Sequence, residues 1–86
     1  MISSNTDLYD LVRTLSAELK QAGEEEWSSR LSMSLSAGSM PGEVLGEIRL
    51  QLRDLYDSDV SRRLNQRSRI KEALKQLDRA LRPSFF

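Results

Sequence analysis

The sequence predicts an all-α fold, a compact bundle of four helices in up-down order, and three observations carry that reading. Apolar residues recur at steps of three and four along separate stretches, the spacing of one buried helix face. Leucine dominates those positions while β-branched residues are scarce, a choice that favours helix over strand. Gly, Pro and Ser fall between the stretches, at Gly23, at Gly38-Ser39-Met40-Pro41 and at Ser58, where helices stop and start. A chain of 86 residues suits a single helical domain over 1–86 with a tail at 83–86, large enough for one modest core.

The first helix is expected over about 5–22. Leu8, Leu11, Val12, Leu15, Leu19 and Ala22 fall in a stripe about 100° wide. Ser4 and Asp7 have the spacing of a capping box, with Asn5 or Thr6 as alternative caps, and Gly23 takes the left-handed turn that ends the helix. Glu24, Glu25 and Glu26 suit the positive end of a second helix, about 24–37. Its core face is Trp27, Leu31 and Leu35, with Ser28, Ser29, Ser32 and Ser36 on the other side. Serine is a mediocre helix former, so Trp27 is expected to anchor this helix, largely buried between the first three.

Gly38 closes the second helix in this reading and Ser39 caps the third, about 41–57, with Pro41 in its first turn. Val44, Leu45, Ile48, Leu52, Leu55 and Tyr56 make the third stripe. Ser58 and Asp59 cap a fourth helix, about 59–82, before Pro83. Here the pattern shifts. Val60 and Leu64 point roughly 90° away from Ile70, Leu74, Leu77 and Leu81, which predicts a bend or break near 65–68, with a continuous helix wrapping the bundle as the alternative. These leucines, Leu81 included, complete the expected core.

The chain has neither His nor Cys, which excludes Ser-His-Asp and Cys-His catalysis and nearly all structural zinc sites. Asp54, Asp57 and Asp59 imitate a calcium loop. Counting from Asp57, however, puts Arg62 and Ser68 where Gly and Glu are needed. No residue is assigned a catalytic, cofactor-binding or metal role, and the expectation is a protein that is not an enzyme. Gly38, Gly42 and Gly46 are spaced by four and read as a helix stop, a tight start and a close approach of the third helix at Gly46. No apolar stretch reaches the ~20 residues of a membrane span. The first residues lack the basic and apolar regions of a leader, and the absence of Cys fits a reducing compartment. A cytoplasmic protein is the expectation.

What remains is charge and exposed apolar surface. The net charge is zero, yet residues 1–43 carry seven acids against three bases and residues 44–86 six against ten. The basic excess centres on a face of Arg62, Arg63, Arg67 and Lys71, the footprint that nucleic-acid binding would need. No aromatic residue lies among these bases, and the acidic half supplies internal partners, so a solvated face with ion pairs is the preferred reading. Met33 and Leu50 lie off the core stripes. With Met40, Phe85 and Phe86 they form the candidate contact surface for another protein or for self-association.

The run Leu15-x-x-x-Leu19-x-x-x-Gly23-x-x-x-Trp27-x-x-x-Leu31 resembles the opening of small uncharacterised all-helical bacterial proteins, some of them similar to immunity partners of toxins. The resemblance covers about a third of the chain and implies an interaction role. It transfers no functional residue.

Overall fold

The computed structural model describes residues 4–81. They form five helices in place of the expected four: α1 Asn5–Gln21, α2 Glu25–Ser34, α3 Pro41–Asp57, α4 Asp59–Arg63 and α5 Arg67–Ala80. Among the described residues there is no strand. The expected tail and the helix end at 82 lie outside the described residues.

Helix α1 begins where its cap predicts, with the Ser4 hydroxyl accepting the Asp7 N–H at 3.2 Å. It ends at Gly23, whose φ is +83°. There the Glu24 N–H donates to the Leu19 carbonyl at 2.8 Å and the Gly23 N–H to Lys20 at 3.1 Å. This pair of bonds satisfies the carbonyls that a helix end leaves open.

Helix α2 stops at Ser34, three residues short of the expected 37. The Ser34 hydroxyl donates to the Leu31 carbonyl at 2.6 Å, so the side chain competes for a backbone acceptor just where the helix gives out. Gly38 therefore does not close α2. A Cβ at Gly38 would stand 2.6 Å from Glu43 Cβ, so this glycine lets the connecting backbone lie on the first turn of α3. Ser39 is not the α3 cap either. Met40 holds that place in extended conformation without a side-chain capping bond, and Pro41 supplies the fixed φ of the first turn.

The expected fourth helix divides at Leu64-Asn65-Gln66. Asn65 has φ +56°. The Gln66 N–H donates to Ser61 at 2.8 Å and the Asn65 N–H to Arg62 at 3.2 Å, repeating the bonds that end α1 with Asn in place of Gly. The divergent apolar directions explain the break. After it, Val60 and Leu64 pack at the edge of the core while Ile70, Ala73 and Leu77 enter it.

The core is Leu8, Val12, Leu15 and Leu19 from α1, Leu31 from α2, Leu45, Ile48, Leu52 and Leu55 from α3, and Ile70, Ala73 and Leu77 from α5. Helix α3 is central, packing on α2, α4 and α5, while α1 packs on α2. Trp27 is partly buried and packs against the core, with the Arg30 guanidinium 4.1 Å above its ring. Two expectations need correction. Leu81, the cap residue after α5, is 36% exposed and outside the core. At Gly46 a Cβ would meet nothing within 4 Å, so no helix approaches closely there.

The serines of α2 are not all an outer face. Ser16 and Ser28 are buried between α1 and α2. Each hydroxyl donates to the other residue's carbonyl at 2.8 Å. With those two protons spent, Ser32 donates to Ser16 Oγ at 2.7 Å. Residues this small let the two backbones come close, and the bonds satisfy every hydroxyl the contact buries.

Candidate interaction surface

Three of the five residues expected to form a contact surface are described, and all three are exposed: Met33 at 72%, Met40 at 61% and Leu50 at 53%. Phe85 and Phe86 lie outside the described residues. Met33 stands on α2 between two surface grooves. One, against α1, is lined by Arg13, Ala17, Lys20, Glu25 and Ser29, and the other, against α3, by Arg30, Ala37, Glu47 and Gln51. Leu50 lines neither groove. It lies midway along α3, on the side opposite Leu45, Ile48, Leu52 and Leu55. The structure thus leaves the three exposed on the α2–α3 half without gathering them into one patch.

The four residues of the expected basic face are held by internal partners or dispersed. Arg62 is 3.9 Å from Asp59, and Arg63 reaches both Asp59 at 3.3 Å and Glu24 at 3.1 Å. Arg67 is half-buried with its guanidinium 4.2 Å above the Tyr56 ring. Lys71 is exposed and borders a groove with Arg49, Arg53 and Tyr56.

Sequence reasoning missed the polar knot that ties α1 to the start of α5. Glu18 accepts two bonds from Arg69, each 2.8 Å, and one from Gln66 Nε2 at 3.1 Å. Arg69 holds the Glu18 carboxyl below its ordinary range, against the opposing effect of burial. The guanidinium is correspondingly raised. Gln66 is fully buried, and its Oε1 has no hydrogen-bond partner. The carboxylate fixes the amide's orientation, since a reversed amide would set oxygen against oxygen. Only the acid-base balance between the chain's halves hinted at this contact.

Among the described residues no three Asp or Glu side chains gather as a metal site, and no helix is long and apolar enough to cross a membrane. No family model, curated protein or solved structure matches the chain.

Proposed function

We propose that this chain is a non-enzymatic interaction module of the cytoplasm, a small adaptor, regulator or immunity-like protein that binds another protein through its α2–α3 side. In this reading α4 and α5 together serve as the fourth arm of an up-down bundle. The observation that carries it is the exposure of Met33 and Met40, at 72% and 61%, in a molecule that draws Leu8, Leu15, Leu19, Leu31, Leu45, Leu52, Leu55 and Leu77 into the core. Methionine is unbranched and polarizable, and it adapts to differently shaped partners. The Leu15 to Leu31 resemblance points the same way. The bases that a nucleic-acid reading would use are, in Arg62, Arg63 and Arg69, already facing carboxylates.

Affinity capture from a lysate of the source organism tests this, using the wild-type chain and a Met33→Asp, Met40→Asp variant side by side. A protein retained by the first and lost by the second supports the reading. Retention of nothing, or retention indifferent to the substitutions, sinks it. The variant's thermal midpoint should stay near that of the wild type, because exposed substitutions fall within about ±0.5 kcal/mol.

A further inference from the structure

Helix α3 carries on its solvent side a row of residues that lie outside the core. Glu43, Gly46, Leu50, Arg53 and Asp57 follow at alternating steps of three and four, so they form one seam along the helix, away from the core. Leu50, at its middle, is 53% exposed. One turn earlier Gly46 weakens the helix interior, and no neighbour accounts for it, since a Cβ there would meet nothing within 4 Å. Among the described residues neither Glu43 nor Arg53 has an ion-pair partner within 4.0 Å. The charges beside them are paired, Arg30 with Asp54 and Arg49 with Asp78.

We infer that this seam is the contact between two copies of the chain, their α3 helices packed antiparallel, a step beyond the interaction reading that adds a second copy as a partner on residues other than Met33 and Met40. The seam's own charge order selects the occupant. In an antiparallel pair, residues equidistant from the level of Ile48 face each other, so Leu50 meets Gly46 of the second copy and Glu43 meets Arg53 of the second copy. Two-fold symmetry makes each contact twice. The missing Cβ of Gly46 leaves a hole for the Leu50 knob, and each free carboxylate gains a guanidinium. A parallel pair would set Glu43 against Glu43 and Arg53 against Arg53, which like-charge repulsion disfavours. With one large apolar side chain per copy the contact is smaller than the ~1,000 Å² of a stable interface. The pair is transient, with a dissociation constant between about 10 μM and 1 mM.

Sedimentation of the full chain from about 10 μM to 1 mM at low salt, with circular dichroism as a control for folding, tests the pairing. The wild type should self-associate. Glu43→Arg and Arg53→Glu should each weaken association about tenfold, because each sets like charges face to face. The double reversal should restore it. Gly46→Ala should raise the thermal midpoint of the monomer and yet weaken the pair, by filling the hole. A wild type that is monomeric at about 1 mM overturns the inference, as does a dimer that the double reversal fails to restore or that Gly46→Ala leaves unchanged. A monomeric chain that still captures another protein through Met33 and Met40 sinks the self-pairing alone. One that captures none sinks both readings.

Discussion

Glu18 joins three segments of the chain through one carboxylate, and its protonation state should show in the stability of the whole. Arg69 lowers the carboxyl's pKa chiefly by hydrogen bonding; burial opposes this, while Gln66 and the Arg69 charge add to it. A carboxyl whose pKa is lower folded than unfolded stabilises the fold above its unfolded value. That contribution is lost as the pH falls from about 4.5, the ordinary value, through the folded one. Glu18→Gln should therefore lower the thermal midpoint at about pH 7, by a gap that narrows as the pH falls below about 4.5. Melts of both proteins along a pH series check this, and a gap that does not narrow on acidification refutes it. Trp27, singled out by its size, packs partly buried against the core, and Arg30, three residues on in the same helix, covers its ring, while Leu31 is the fully buried apolar residue of α2. The spacing Trp-x-x-Arg was legible. Nothing in the sequence marked Gln66 as buried, because its burial follows from where the α4–α5 turn places it.

Helix ends were readable where a residue with one conformational purpose stands at them, as Ser4, Gly23 and Pro41 do for α1 and α3. Serine in α2 was ambiguous, since it serves as outer surface, as buried contact and as competitor for the backbone. The same residue type therefore gave both the early stop at Ser34 and the unforeseen seam with Ser16. The phase shift of the apolar pattern revealed the α4–α5 break, and Asn65 shows its mechanism. A left-handed conformation costs an ordinary residue roughly 1–2 kcal/mol, less for Asn and nothing steric for Gly. Asn65→Ala should then destabilise by about 1 kcal/mol and Asn65→Gly should leave stability equal or slightly higher. Urea unfolding of the three proteins decides the order, and an alanine variant as stable as the wild type would show that α4 and α5 can join without strain.

Across the whole molecule the two halves, acidic and basic by sequence, neutralise each other at Glu18–Arg69 and Glu24–Arg63. A polyanion must displace those carboxylates to gain the same cations. Binding to a mixed-sequence oligonucleotide should accordingly be weaker than about 10 μM at ~150 mM salt, far from the nanomolar range of specific readers. Arg63→Glu should lower the thermal midpoint and leave that weak binding unchanged. Submicromolar binding abolished by the reversal would restore nucleic acid as the leading partner. The order in which the helices pack has a consequence in time. Helix α1 meets α2, α2 meets α3, and α3 meets α4 and then α5, so most contacts join neighbours along the chain. Short loops close with little loss of entropy, and chains built this way fold in microseconds to milliseconds. A collision with a partner at micromolar concentration takes roughly a tenth of a second or longer at ordinary association rates. The outer side of α3 is therefore fully formed, with Leu50 in place, before any second molecule arrives.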